Sequence, residues 1–171
     1  YQCDWSSDVC SSDLEQLASL RANTLEISAV RDLRAMARQK DGLPTLVQLK
    51  AVDTAYPLYG SVELDPPMPL AAALAPVGGV AGAVAEKELF ERLGVGIADA
   101  VTVNEATFAL RAVIVSEPDR TASPFSLGPR LMIADGALAG TGLVQVGSLI
   151  SHEYRLRLAS NENLETWTAA L

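Results

Sequence analysis

The stretch LVQLKAVDTAYPLYGSVEL, residues 46–64, decides how this chain is read. Between Thr45 and Asp53 the residues alternate: Leu46, Gln48 and Lys50 fall on one side of an extended chain, and Val47, Leu49 and Ala51 on the other. A period of two marks a strand, because successive side chains point to opposite faces. AYPLYG (55–60) then reads as a turn, since Pro57 fixes φ and Gly60 admits an unusual one. SVEL (61–64) is a short second strand. Upstream, TLEISAVRDLRAMARQ (24–39) satisfies two periods at once. Leu25, Ile27 and Ala29 alternate as in a strand, whereas Leu33, Met36 and Ala37 fit a helix. KDG (40–42) favours the strand, because it reads as a hairpin turn into 45–53.

Downstream, PLAAALA (69–75) can form a helix with Pro69 in its first turn. GGVAG (78–82) reads as a loop holding at most a strand of two or three residues. EKELFERLG (86–94) is the clearest helix. Leu89, Phe90 and Leu93 share a face, Glu86 and Glu88 suit the positive end of the dipole, and Gly94 supplies a stop. AVTV (100–103) and ATFALRAVIV (106–115) form a hairpin across Asn104-Glu105, with Phe108, Leu110 and Ile114 on one face. EPDRTASPFSLGP (117–129) is a long loop, RLMIA (130–134) a strand and DGALAGTGL (135–143) about one helical turn. SLISHEYRLRLA (148–159) is a last strand with Arg155 and Arg157 on a wet face. EQLASLRA (15–22) has helix-forming composition, and SNENLETWTAAL (160–171) opens a further helix. Strands outnumber helices and hairpins outnumber βαβ crossovers. The fold class is therefore α+β, a mixed, mostly antiparallel sheet with a few short helices.

Composition narrows the function classes. Apolar residues make up 49% of the 171 positions and charged residues 20%, which suits a globular chain. Aromatics are only 5%, so Ala, Val and Leu must fill the core. The net charge is −8 and no two Lys or Arg residues are adjacent, which argues against nucleic acid as a partner. Residues 66–85 carry no charge over twenty positions, long enough to cross a bilayer. Pro66, Pro67, Pro69, Pro76, Gly78, Gly79 and Gly82 break that run, so a spanning helix is not expected there.

The opening YQCDWSSDVCSSDL (1–14) is unlike the rest. Cys3 and Cys10 could close a short disulfide loop in an oxidising compartment. A metal site needs more ligands, and the single histidine, His152, is far away in sequence. DWSSDVCSSDL also resembles a translated sequencing-adapter fragment. On that reading residues 1–14 were not selected with the rest, and the cysteines say nothing about compartment.

Motifs that carry chemistry are sparse. The chain has no G-x-S-x-G, H-E-x-x-H, P-loop or G-x-G-x-x-G. His152 lies in a strand beside Glu153 and reads as structural. Asp53, Asp65, Asp99 and Glu117 fall at strand ends or turns, where acids serve local hydrogen bonds. No catalytic, cofactor-binding or metal residues are nominated. Tyr56 and Tyr59 could form a contact surface or cap the core. Phe125, between Pro124 and Ser126 in the long loop, is a third candidate for contact with a partner.

Several of these segments together resemble one family. LVQLKAVDTAYPLYGSVEL, PLAAALAPVGGVAGAVAEKELFERLGVGIADAVTVNEATFALRAVIVSEPDR and FSLGPRLMIADGALAGTGLVQVGSLISHEYRLRL are similar, in that order, to the extracytoplasmic domain of FtsX-like ABC-transporter permeases of the YbbP-like branch. KAVD-x-x-YPLYG and FSLGPR are the specific parts. One departure is Ala98-Asp99, where the family usually has Gly-Asp. A turn needing φ > 0 at residue 98 would be strained by about 1 kcal/mol with alanine. With residues 1–14 set apart as a non-native, adapter-derived segment, the resemblance implies 15–159 as the extracytoplasmic domain, akin to the MacB-type periplasmic core domain, and 160–171 as the start of a following helix. It implies a permease subunit of the bacterial inner membrane with this domain in the periplasm and a cytoplasmic ATP-binding subunit as partner. It also implies an unidentified substrate or periplasmic partner, no cofactor and no catalysis by the domain itself. The alternative is a soluble enzyme or small-ligand-binding domain containing a small β-barrel module.

Overall fold

The computed structural model describes residues 25–40, 42–118 and 128–157. The expectations for residues 1–14, 15–22 and 160–171, and for Phe125, lie outside the described residues. Eight strands form one sheet. β1 (Glu26–Arg38) and β2 (Thr45–Val52) make the expected hairpin, paired antiparallel from Val30↔Val52 to Ala37↔Thr45. β3 (Glu63–Asp65) is short, and α1 (Leu70–Leu74) is a turn and a half. β4 (Ala81–Glu86) leads into α2 (Lys87–Leu93), which ends on Gly94 at φ 65. β5 (Ala100–Val103) and β6 (Ala106–Ser116) form the second hairpin. β7 (Arg130–Ala134) runs into α3 (Asp135–Leu138) and a 3-10 turn, and β8 (Ser151–Arg157) is the last strand. Of the eight strand pairings, β2–β7 and β4–β6 are parallel and the rest antiparallel, so the sheet is mixed and mostly antiparallel.

The sheet closes on itself. β2 pairs with β7, β7 with β4, β4 with β6, β6 with β5 and β5 with β1, and β1 returns to β2. Closure at β5 is narrow, resting on Ala37↔Val103 and Arg38↔Thr102. The other half of that edge of β1, Glu26–Asp32, pairs with β8. A ring of six strands has little room inside, so its lining must be small. Ala35, Ala37, Ala51, Ala83 and Ala85 meet Val47, Leu49, Val101, Val103, Leu131 and Ile133, together with the rings of Phe108 from β6 and Phe90 from α2. This is how a chain poor in aromatics fills a core.

A second apolar cluster covers part of the outside. Val30, Val52, Tyr56, Leu64, Ala73, Leu74, Val84, Ala112, Ile114 and Met132 pack together beneath α1 and the 53–65 segment. β4 is thereby buried on both faces, and Gly82 through Glu86 are all buried. A strand covered on both sides reads as a continuous apolar run rather than an alternation. GGVAG holds the expected turn and two strand residues, Ala81 and Gly82, and the strand runs on through Glu86, beyond what was expected. Gly82 is required where α1 crosses, since a Cβ there would lie 2.0 Å from the Ala73 carbonyl oxygen.

Two irregularities explain other departures from simple periodicity. β1 buries Ser28 and Val30 at its start but Leu33, Ala35 and Ala37 later, so its covered face switches midway. The resulting spacings of three and four imitate a helix, and the strand is what forms. In β6 the register slips between Leu110↔Ala83 and Ala112↔Val84. Phe108 and Leu110 therefore point inside, while Ala112 and Ile114 join the outer cluster. This corrects the expectation of a single face through Ile114, and Arg111 is the extra residue of the bulge.

The described chain begins and ends at one place. Glu26 pairs with Arg157 across the β1–β8 ladder, and their side chains form an ion pair at 2.8 Å.

Candidate functional site

The register of β1, β2 and β7 sets the polar site on the outer face. Lys50 on β2 lies opposite Asp32 on β1 and Met132 on β7. Being one residue out of phase with Leu49, which is inside, it should meet water. Instead Tyr56 and Glu117 close over it, and its side chain is 2% exposed. Lys50 Nζ donates to Tyr56 Oη at 3.0 Å and lies 4.5 Å from the centre of that ring. It also pairs with Glu117, whose side chain is 1% exposed. Tyr56 Oη donates to Glu117 Oε1 at 2.9 Å. Arg130, the first residue of β7, donates through Nη1 to both carboxylate oxygens at 2.9 and 3.0 Å. Glu117 thus accepts from three side chains, close to the capacity of a carboxylate. Lys50, Glu117 and Arg130 carry one net positive charge, and Asp32 next to them carries the matching negative one.

Asp32 differs from its neighbours. It accepts no side-chain hydrogen bond from another described residue, although Lys50 and Arg130 are within electrostatic reach. Loss of water around the carboxyl pushes its pKa above the usual 3.8. Arg130 and Lys50 oppose that shift, while Glu153 and Glu117 add to it. The carboxyl lines a cleft of about 830 Å³ together with Arg34 and Gln48, the 147–151 segment and Leu143. Among the described residues no group of three or more His, Cys, Asp or Glu side chains could hold a metal ion.

The residues singled out by sequence are scattered. Tyr56 is 7% exposed and belongs to the outer core, the core-capping alternative; Tyr59, three residues on, is 63% exposed. Arg157 stacks its guanidinium 5.1 Å from the Tyr59 ring centre and donates to the Leu58 carbonyl. Asp53 accepts from Ser28 Oγ at 2.9 Å and from the Ala29 and Ala55 amides at 2.6 and 3.1 Å, tying the end of β2 to the start of β1. Asp99 accepts from the Gly96 amide at 2.7 Å. Asp65 ends β3 and is exposed, and His152 is exposed on β8. Asp53, Asp99 and Glu117 each serve a different local network. Ala98 adopts φ 76, the strained conformation expected from the missing glycine. Sequence reading placed Lys50 on a strand face and Glu117 at a strand end but did not connect them, and it missed Asp32 and Arg130. Their meeting depends on the β2–β7 parallel pairing, which leaves no local signal.

A small closed sheet with the Lys50–Glu117–Arg130 ion-pair cluster outside its core defines a compact α+β module. No family model matches the chain. Over 120 residues, 70% of its length, the chain is 33% identical to an uncharacterized ABC transporter permease, YbbP, of Escherichia coli (strain K12). It spans only 14% of that protein. Three solved structures share the fold. A domain of a putative permease from Porphyromonas gingivalis superposes with a TM-score of 0.57 at 11% identity, over 92% of this chain and 65% of that one. The extracellular domain of the noncanonic ABC-type transporter YknZ from Gram-positive bacteria gives 0.58 at 10% identity, over 92% and 77%. The periplasmic region of MacB from Actinobacillus actinomycetemcomitans gives 0.55 at 13% identity, over 91% and 67%. The chain belongs to the YbbP-like ABC-transporter permeases, and its fold is that of the extracellular and periplasmic domains just named.

Proposed function

We propose that this chain is a mechanical, non-catalytic part of a transporter permease. It stands on the outer side of the bacterial inner membrane, between two membrane-crossing segments of the complete subunit. A separate cytoplasmic subunit hydrolyses ATP, and the domain passes the resulting motion to a cargo or partner outside. The observation that carries this reading is the pairing of Glu26 with Arg157, which brings the first and last described strands, β1 and β8, together at one spot. A domain tethered at two neighbouring points moves when its tethers move. A closed hydrogen-bonded ring is stiff enough to carry that displacement to its far side. The start of β8, opposite Asp32, lies six residues from the tether, or about 20 Å along the strand. Among the described residues no helix is long and apolar enough to cross a membrane. On this reading the crossing segments belong to flanking parts of the gene.

The test reads the gene beyond both ends of this chain and then removes the domain. Apolar spans of about twenty residues are expected on each side. Replacing residues 26–157 by a short Gly-Ser linker should leave membrane insertion and basal ATP hydrolysis of the complex intact and abolish its activity in cells. Soluble flanks, or a linker variant with full cellular activity, would overturn the proposal.

A further inference from the structure

We propose that the cleft beside Asp32 is a binding site for an uncharged, extended peptide with apolar side chains, in which Asp32 accepts a hydrogen bond from a peptide N–H. The volume of about 830 Å³ is within the range of ligand sites. One wall is the 143–150 loop. The sequence carries no charge from Gly136 to Ser151. The loop exposes apolar side chains, Val146 at 72% and Leu149 at 96%. It is nevertheless held in shape from within. Ser148 Oγ donates to the Leu143 carbonyl at 2.7 Å and accepts from the Gln145 amide at 3.0 Å, while Gln145 Nε2 donates to the Gly142 carbonyl at 2.8 Å. The polar side chains of the loop are thus turned to its own backbone, and the apolar ones are presented in a fixed arrangement. A surface ordered in advance loses less entropy when a ligand arrives.

The opposite wall carries both hydrogen-bonding senses. Asp32 offers an acceptor that no other described residue uses, Arg34 offers donors, and Gln48 offers both. A peptide unit presents one donor and one acceptor. The formal charges around the cleft offset one another, Lys50, Arg130 and Arg34 standing against Glu117, Asp32 and Glu153. A cationic or anionic ligand would upset that balance, and a neutral amide would not. An aliphatic chain without amides would leave the half-buried Asp32 carboxyl unsatisfied, at a cost the peptide avoids. The site lies at the opposite end of the β1–β8 ladder from the Glu26–Arg157 pair and does not depend on how that end is anchored.

The test uses the whole chain, labelled for amide NMR and titrated with acetyl-Val-Leu-Val-amide. Saturable shift changes are expected at Asp32, Gln48 and Leu149 to Ser151. Asp32→Ala should weaken binding about tenfold, the loss of one hydrogen bond to a charged group. Leu149→Ser, at an exposed position that does not touch folding, should weaken it roughly fivefold. The same peptide with N-methylated amides, and octyl glucoside, should both bind far more weakly. The proposal is overturned by an absence of saturable shifts, by equal binding of either comparator, or by full affinity in the Leu149→Ser variant. Any of these outcomes leaves the transporter reading standing.

Discussion

Glu117→Gln should cost far more stability than Lys50→Met, although the two residues are partners. The Glu117 side chain is 1% exposed and takes bonds from Lys50, Tyr56 and Arg130. Removing its charge takes from Lys50, at 2% exposure, the buried carboxylate it pairs with, while the Tyr56 bond remains. Stripping one partner from a buried ion pair costs about 3–5 kcal/mol. Arg130, 17% exposed, can turn outward, and Asp32 compensates part of the charge, so the lower end, about 3 kcal/mol, is expected. Lys50→Met is milder. Glu117 keeps both Arg130 bonds and the Tyr56 bond, and the methionine chain fills the space of the lysine stem. A loss of about 1–2 kcal/mol follows from the missing hydrogen bonds. In the double variant the stranded lysine is gone, so the total should fall about 2 kcal/mol short of the sum of the singles. Urea unfolding of the four proteins at pH 7, followed by circular dichroism, measures each term. Equal costs for the two single changes, or simple additivity, would refute the assignment of Glu117 as the shared anion of the cluster.

Four further outcomes follow from the backbone and from Asp32. Gly82→Ala should destabilise by about 3 kcal/mol, because the added carbon meets the Ala73 carbonyl and only the α1 backbone can yield. Gly136→Ala, with open space around it, should instead gain about 0.4–1 kcal/mol, and the same urea titrations compare the pair. Ala98→Gly relieves a left-handed alanine worth about 1–2 kcal/mol, partly offset by the looser unfolded chain, so melting should move upward by the equivalent of about 0.5–1 kcal/mol. Because burial raises the Asp32 pKa, the folded state holds that proton more tightly than the unfolded state, and stability falls as pH climbs through the window that opens at 3.8. Asp32→Asn cannot ionise, so its stability relative to the unchanged protein should rise through that window and level off above the folded pKa. A constant difference from pH 3 to pH 7 would show that Asp32 does not titrate in this way.

Much of the fold was legible because its strands are local objects. The alternation of Val47, Leu49 and Ala51, the Asn104-Glu105 hairpin and the Gly94 stop each signal their structure within a few residues. The failures share one physical cause, which is cover supplied from elsewhere in the chain. β4 lost its alternation because α1 and the 53–65 segment bury its second face. β6 changed face at Arg111 because a bulge shifts its register against β4. The closure of β1 onto β5 joins residues distant in sequence, so the mixed sheet was expected outright and a closed barrel only under the alternative reading. For the same reason Lys50 and Glu117 could be read one at a time but not as a pair. Sequence resemblance carried the family more directly than it carried any site.

The central claim is that this domain lies outside the inner membrane. Labelling of a cysteine at His152, an exposed position on β8, tests it most directly in the complete subunit with its other cysteines removed. A membrane-impermeant maleimide should modify that cysteine on intact spheroplasts as fully as after lysis. Modification only after lysis would put the domain on the cytoplasmic side and contradict the account.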